Sequence, residues 1–163
     1  MLYDFVKDGT DLSALDHIEP SALEISACPL RSLAGVIRHW PSLTSLKLSH
    51  CDRLEDISPL SLLPNLELLE IVYCRKVENY DSIAHLEYLR SSWLQGQENV
   101  DISVFARLPQ LQELTISRAG SVDVSTLADK SVTIWIDDDT KVSGCGADFR
   151  PELRRYGSSG AQS

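Results

Sequence analysis

The strongest constraint on the fold is a motif that returns at an interval of 23 residues. Cys28, Cys51 and Cys74 are evenly spaced, and leucine or isoleucine precedes the last two at matching positions. A fixed period of about 20 to 50 residues is the signature of proteins in which similar units stack on one another. The two clearest copies of the motif are Leu43-x-x-Leu46-x-Leu48-x-x-Cys51 and Leu66-x-x-Leu69-x-Ile71-x-x-Cys74.

Weaker copies extend the repeat to about six units. Leu23 and Ile25 precede Cys28 as a degenerate copy. Further copies are predicted at Leu86-x-x-Leu89-x-Ser91-x-x-Leu94, at Leu111-x-x-Leu114-x-Ile116-x-x-Ala119, and in the strand-like stretch Val132, Ile134 and Ile136. A second repeated signal agrees with the first. A three-residue step of aspartate, an aliphatic residue and serine recurs at intervals of 45 residues, as Asp11-Leu12-Ser13, Asp56-Ile57-Ser58 and Asp101-Ile102-Ser103. A fourth copy is Asp123-Val124-Ser125.

Each unit combines two different periodicities. The segment "SLKLS" alternates apolar and polar residues, which is typical of a half-buried strand. In the segment that follows, apolar residues recur every third position, which favours tight helical turns; they are Leu54, Ile57, Leu60 and Leu63. Ser58 followed by Pro59 is typical of an N-cap and the first helical position.

The motif resembles that of the leucine-rich repeat family, in its cysteine-containing form, over roughly residues 11 to 140. The resemblance implies an α/β fold, a leucine-rich repeat solenoid of about six units. Short parallel strands would form its concave face, and helical or 3₁₀ return segments its convex face. We predict an irregular N-terminal cap at 1–10, the repeat domain at 11–143 and a C-terminal tail at 144–163, disordered from about residue 157.

The repeat offers a structural interpretation of the suggestive run Ser49, His50 and Cys51. Cys51 would turn inward beside Cys28 and Cys74 as a small buried apolar residue. Two alternatives are a three-thiolate metal site, which lacks a fourth ligand, and thiol catalysis with His50, whose side chain would point in a different direction. The predicted structural core comprises Leu46, Leu48, Cys51, Leu69, Ile71, Cys74, Leu114 and Ile116.

Sequence signals for a cation site, a phosphate-binding loop or a catalytic nucleophile are weak or absent. The run Asp137, Asp138 and Asp139 has the ligand type for a hard cation, but it lacks the glycine and bidentate glutamate of an EF-hand loop, so a solvated polar end is the alternative. Phosphate-binding loop and nucleophile-elbow motifs are absent from the sequence. We therefore predict no enzyme activity, no cofactor and no metal.

Charge and hydropathy limit the classes of partner and the location that the sequence favours. The formal net charge of −9 disfavours nucleic acid. No apolar run approaches the roughly 20 residues of a membrane span, and the start "MLYDFVKDGTDLS" has no secretory-signal pattern. These features predict a cytoplasmic protein that binds neither nucleic acid nor membrane.

The outward positions of the predicted strands form rows across the sheet. The middle row is predicted as Glu24, Lys47, Glu70, Arg90 and Thr115, which is either a self-neutralised surface or a polar recognition stripe. Aromatic residues and arginine dominate interface energetics. Trp93 is either a further anchor or packed at a strand corner. The predicted contact patch is Leu68, Tyr88, Arg90 and Trp135, with Lys47, Glu70 and Glu113 at its rim.

These observations favour a non-catalytic protein-recognition module. The D-[ILV]-S steps, the L-x-x-L-x-L repeats and the closing "VTIWIDDDTKVSG" are similar to the C-terminal repeat regions of bacterial NACHT or STAND-type NTPases. That resemblance implies the ligand-sensing part of a signalling or defence protein, with an NTPase domain of the same parent as a partner. The alternative is a free-standing inhibitor or immunity protein that binds a toxin or enzyme, for which the negative charge favours a basic partner.

Overall fold

The computed structural model describes residues 19–98 and 100–157. The predicted cap at 1–10, the step at Asp11, and the end of the predicted tail from residue 158 lie outside the described residues. Short strands recur along the described chain, at β1 Ala22–Ser26, β2 Ser45–Ser49, β3 Leu68–Val72, β4 Ser91–Gln95, β5 Glu113–Ser117, β6 Ser121–Asp123, β7 Thr133–Asp137, β8 Lys141–Ser143 and β9 Glu152–Tyr156.

Seven of these strands form one parallel sheet in the order β1-β2-β3-β4-β5-β7-β9, and β6 pairs with β8 in a separate parallel pair. Each strand of the large sheet lies beside the strand of the next unit, and equivalent residues are paired, as in Leu46 with Leu69 and Leu48 with Ile71. The predicted solenoid of parallel strands is thereby confirmed. Because equivalent positions align, each outward position of the repeat becomes a row across the sheet.

Short helical segments return the chain from one strand to the next. They are an α-helix at Ala34–Ile37 and 3₁₀ helices at Ser58–Leu62, Asp81–His85, Ser103–Arg107 and Ser125–Leu127. This arrangement agrees with the predicted three-residue periodicity of the return segments. We call the side of the solenoid that carries these segments the return face.

The repeated D-x-S step starts three of the 3₁₀ helices. The Oδ1 atom of Asp56 accepts a hydrogen bond from the Ser58 N–H at 2.9 Å, and Asp101 and Asp123 do the same for the serine two residues later. Asn79 accepts equivalently from the N–H of the residue two positions on. The prediction that the Ser58 side chain caps the helix was therefore wrong, because the preceding aspartate provides the capping oxygen.

The core is a continuous apolar layer between the sheet and the return segments. All eight residues of the predicted core are at most 1% exposed, and so are the four three-spaced residues of the second return segment. Burying one leucine or isoleucine side chain contributes about 1.5–3 kcal/mol. A single unit has one such layer and no partner for it, so the units are stable only when stacked.

The register of the fourth unit differs from the predicted one. Strand β4 pairs Leu69 with Ser92 and Ile71 with Leu94. The unit therefore begins at Leu89, which keeps the 23-residue interval from Leu66, and the prediction that it begins at Leu86 was wrong. Leu86 is instead buried with the return segment.

Two polar residues occupy inward positions of this unit and so disguised its motif. Ser92 replaces the expected leucine, and its hydroxyl donates to the Leu69 carbonyl at 3.1 Å. Gln97 replaces the corner cysteine, is 3% exposed, and accepts a hydrogen bond from the Tyr80 hydroxyl at 3.3 Å. Because buried polar groups are tolerated when they are hydrogen-bonded, both fit the core.

The sheet also continues past the predicted end of the repeat domain at residue 143. Strand β9 pairs with β7, with Leu153 beside Ile134. Leu153 takes the inward position there, while Arg154 faces outward. The charged residues of "ELRRY" concealed a strand within the predicted C-terminal tail.

Candidate functional site

The strand face, which we define as the outward side chains of the large sheet, is the candidate functional surface. It carries three rows, because successive strand residues alternate between the core and solvent. The pairing of the strands gives its middle row as Glu24, Lys47, Glu70, Trp93, Thr115, Trp135 and Arg154.

Five of the seven predicted contact residues lie on this face. Leu68 and Glu113 belong to the first row, and Lys47, Glu70 and Trp135 belong to the middle row.

Tyr88 and Arg90 lie elsewhere, in the turn that precedes β4, as a consequence of the register of the fourth unit. Tyr88 is 53% exposed there, and the Arg90 guanidinium pairs with Glu67 at 3.7 Å. Trp93 takes the middle-row position predicted for Arg90, which makes it a strand-face residue and not a corner residue.

The first half of the middle row neutralises itself. The Lys47 ammonium lies 3.6 Å from the Glu24 carboxylate and 3.8 Å from the Glu70 carboxylate. Exposed pairs of this kind contribute only about 0–1 kcal/mol each. This part of the strand face matches the interpretation of a self-neutralised surface.

The second half of the row is aromatic. Trp93 and Trp135 flank strand β5 from opposite sides and both lean toward it. The indole N–H of Trp93 donates to the Ser117 hydroxyl at 3.4 Å, and that of Trp135 donates to Glu113 Oε1 at 2.5 Å. Thr115 lies between the two tryptophans in the row, so a small side chain separates two large ones.

This arrangement forms a groove of about 450 Å³. Its walls combine apolar and aromatic surface with two carboxylates. Large apolar and aromatic surface beside a few fixed polar groups is the usual composition of a binding site. The groove is lined by Leu68, Glu70, Ser91, Trp93, Glu113, Thr115, Trp135 and Tyr156.

Strand β9 gives Trp135 a second set of contacts. The Arg154 guanidinium lies 5.0 Å from the centroid of the Trp135 ring and also pairs with the Glu152 carboxylate at 2.8 Å. Burial raises the pKa of the Tyr156 phenol, so this group stays neutral at the end of the groove. The sequence signal for a strand was weak in this region, so β9 was predicted to belong to a tail.

A smaller depression of about 270 Å³ lies on the return face, between the 3₁₀ helices Ser58–Leu62 and Asp81–His85. Asp56 and Asn79, which contribute to its lining, already accept the hydrogen bonds that start these helices. These two side chains are therefore engaged in the fold itself.

The run Ser49, His50 and Cys51 separates in space. The Ser49 hydroxyl donates to the Ser26 hydroxyl at 2.9 Å on the strand face. His50 turns the corner with φ of 54°, and its ring packs at a tilt against that of Tyr73, with 5.1 Å between the ring centroids. Cys51 points into the core, where its thiol lies 3.5 Å from the Ser49 carbonyl oxygen. These three side chains do not form a catalytic arrangement.

The inward cysteines form a buried column. Cys28, Cys51 and Cys74 are 6%, 1% and 0% exposed. The side-chain hydrogen bond with Cys51, together with burial, raises the pKa of the Cys74 thiol far above its ordinary value. A protonated thiol is a poor metal ligand, so Cys74 is poorly suited to bind a metal ion. Within residues 19–98 and 100–157, no group of three or more histidine, cysteine or acidic residues is arranged to hold a metal ion.

The aspartate run after β7 has a mixed environment. Asp138 and Asp139 are exposed, but Asp137 is 1% exposed. The Asp137 carboxylate accepts hydrogen bonds from the Arg118 N–H at 2.9 Å and from the N–H and hydroxyl of Thr140. The interpretation of a wholly solvated polar end therefore fails at Asp137, which fixes the corner after β7.

Parallel strands in repeating register, 3₁₀ returns and an inward leucine ladder define a leucine-rich repeat solenoid. Among solved structures, the chain is similar to internalin C2 of Listeria monocytogenes, with a TM-score of 0.70 and 24% identity, over 91% of this chain and 66% of that one. It is also similar to the internalin inlF of the same bacterium, with a TM-score of 0.55 and 18% identity, over 83% of this chain and 46% of that one.

The chain thus spans just under two thirds of the first internalin and just under half of the second. At these identities the likeness establishes the fold. The sequence matches no protein-family model and no curated protein. Among the described residues, no helix combines the length and the apolar character that crossing a membrane requires.

Proposed function

We propose that this chain is a non-catalytic protein-recognition module that binds its partner on the strand face, with the groove between Trp93 and Trp135 at the centre of the contact. The observation that carries the proposal is the convergence of two partly exposed tryptophans on one strand. Buried aromatic anchors surrounded by polar groups dominate the energy of protein interfaces. The likeness to internalins supports a recognition role for a solenoid of this kind.

The proposed contact extends from the groove along both sides. Leu68 supplies apolar surface, and Glu70 and Glu113 form a charged rim. Lys47, held between two glutamates, marks the side toward β1. Tyr88 and Arg90 lie in the turn before β4 and would meet only a partner that extends beyond the ends of the strands.

A matched pair of leucines tests the proposal. Leu68 lies on the strand face, and Leu62 is 56% exposed on the return face. The partner is first captured from the native cell and purified, and its affinity is then measured by calorimetry. Leu68→Ser should weaken binding about tenfold or more, because burying a leucine side chain contributes about 1.5–3 kcal/mol. Leu62→Ser should leave the affinity unchanged.

Trp93→Ala provides an independent second measurement at the centre of the contact. We expect a loss at least as large as that of Leu68→Ser, since tryptophans are the strongest interface anchors. Circular dichroism checks that each variant is folded. Unchanged affinity in Leu68→Ser and in Trp93→Ala would refute recognition on the strand face.

Two biological settings fit such a module. In the first, it is the ligand-sensing part of a bacterial STAND or NACHT-type NTPase and acts in the cytoplasm. In the second, it is a free-standing inhibitor or immunity protein, which the net charge of −9 and the carboxylates of the groove favour if the partner is basic. Mass spectrometry of the captured partner distinguishes the two, since only the second predicts a toxin or an enzyme.

A further inference from the structure

We propose that the groove receives an arginine side chain of the partner, stacked between Trp93 and Trp135 and neutralised by Glu113. This inference rests on the proposed function and adds the chemistry that the partner must present. It is carried by the positions of the two tryptophans on either side of β5, by the charges of the lining residues and by a contact that the protein makes with its own Arg154.

The spacing of the walls suits a planar cation. Neighbouring parallel strands lie about 4.8 Å apart, so Trp93 and Trp135, with one strand between them, rise from backbones about 10 Å apart. A cation is attracted to an indole when it lies within about 6 Å of the ring centroid. Because both indoles lean toward β5, their rings lie closer to each other than the two backbones do, and a guanidinium above Thr115 is placed to contact both rings.

The charges of the lining favour a positive guest. Among the described residues that line the groove, Glu70 and Glu113 are acidic and none is basic. Glu70 is shared with Lys47, whereas Glu113 is held against the wall by the indole N–H of Trp135. This bond orients the Glu113 carboxylate without a side-chain entropy cost at the moment of binding. Glu113 is thus the principal counter-charge for the guest.

The contact between Trp135 and Arg154 of the neighbouring strand β9 already shows the proposed arrangement. There the Arg154 guanidinium lies 5.0 Å from the ring centroid and pairs with the Glu152 carboxylate at 2.8 Å. The indole, guanidinium and carboxylate together form a compact set. The groove repeats the indole and the carboxylate of this set, with Glu113 in place of Glu152, and none of its described lining residues is basic. Arginine fits better than lysine because its flat guanidinium stacks on rings and is more weakly hydrated.

Tryptophan indole signals give a direct test, because the chain has three tryptophans and Trp40 is only 1% exposed. The probe is capped arginine amide, added to the ¹⁵N-labelled full chain and followed by the indole N–H resonances. Capped citrulline amide, which has the same shape without the charge, is the matched ligand control. We expect the arginine compound to shift the Trp93 and Trp135 signals, leave Trp40 unchanged, and bind about tenfold more tightly than the citrulline compound.

A matched pair of variants separates a specific site from general attraction to an acidic protein. Glu113→Gln keeps an oxygen that accepts the Trp135 hydrogen bond and removes the charge. Glu87→Gln removes the same charge from an exposed position in the turn before β4. Only Glu113→Gln should weaken the arginine compound, by about threefold to tenfold. Equal binding of arginine and citrulline, or equal effects of the two variants, would overturn the inference.

Failure of this inference is distinguishable from failure of the proposed function. If the partner loses affinity for Leu68→Ser and Trp93→Ala but arginine and citrulline bind alike, the strand face is the recognition surface and the arginine site is wrong. If neither variant affects the partner, the proposed function is wrong, whatever the arginine compound does.

Discussion

Replacing Gly96 by alanine tests the packing at the strand corners most sharply. Gly96 has φ of 70°, and a methyl group at this position would overlap Cδ1 and Cε1 of the Tyr73 ring. The ring has little freedom to move away. Its hydroxyl accepts a hydrogen bond from the Arg118 guanidinium at 2.6 Å and another from the Gln95 amide at 3.5 Å. The substitution therefore has two separate costs.

The two costs differ in origin and can be measured apart. A left-handed conformation costs a residue with a side chain about 1–2 kcal/mol. Forcing an additional methyl group against a packed ring costs about 1–3 kcal/mol more. Gly120 has nearly the same φ, 66°, but nothing lies within 4 Å of its added Cβ. Gly96→Ala should thus lower the free energy of unfolding by about 2–5 kcal/mol, and Gly120→Ala by only about 1–2 kcal/mol.

Urea denaturation followed by circular dichroism gives both values. A double variant isolates the contribution of the ring. In a Tyr73→Ala background the cost of Gly96→Ala should fall to that of Gly120→Ala, because only the left-handed conformation still opposes it. The reasoning is refuted if Gly96→Ala and Gly120→Ala cost the same, or if the cost of Gly96→Ala is unchanged when the ring is absent.

Three further predictions concern the corners, the return segments and the cysteines. Asp137→Ala should destabilise the fold by about 2–3 kcal/mol, because it leaves buried N–H groups unpaired, whereas Asp138→Ala on the surface should change stability by less than about 0.5 kcal/mol; urea denaturation measures both. Hydrogen bonds from Ser32 and Ser58 lower the pKa of Asp56 below its usual 3.8, so its contribution to stability is present above that value and is lost as the pH falls through the lower folded pKa. Asp56→Asn keeps the capping oxygen, and its stability should therefore fall less than that of the wild type between about pH 5 and pH 2; an equal fall would contradict this. Of the four thiols, only the exposed Cys145 should react rapidly with a thiol reagent in the native protein, as counted by mass spectrometry, and fast labelling of a second cysteine would contradict the buried column of Cys28, Cys51 and Cys74.

The repeat predicted the fold well wherever its inward positions are chemically uniform. Leucine, isoleucine and cysteine residues at equal spacing are all there because the position is buried. Their spacing therefore identifies the strands, the register and the core together. The prediction of the register failed in the fourth unit for the opposite reason. Ser92 and Gln97 satisfy their polar groups inside the protein through bonds to Leu69 and Tyr80, and hydrogen-bonded polar residues leave no periodic apolar signal.

That single register error determined what was missed on the surface. It placed Arg90 in the middle row and left Trp93 unassigned, so the pairing of Trp93 with Trp135 around β5 was not predicted. The contribution of β9 was missed because its apolar residue, Leu153, stands between charged neighbours. Which side chains converge depends on how adjacent strands align, and an error of a few residues in one unit changes every row that crosses it.

The most direct test of recognition through the groove is side-chain footprinting of the complex with hydroxyl radicals, read by mass spectrometry. The account predicts that partner binding protects Trp93 and Trp135 on the strand face and leaves Leu62 and His85 on the return face as reactive as in the free protein. Protection of Leu62 and His85, with Trp93 and Trp135 as reactive as before, would contradict it.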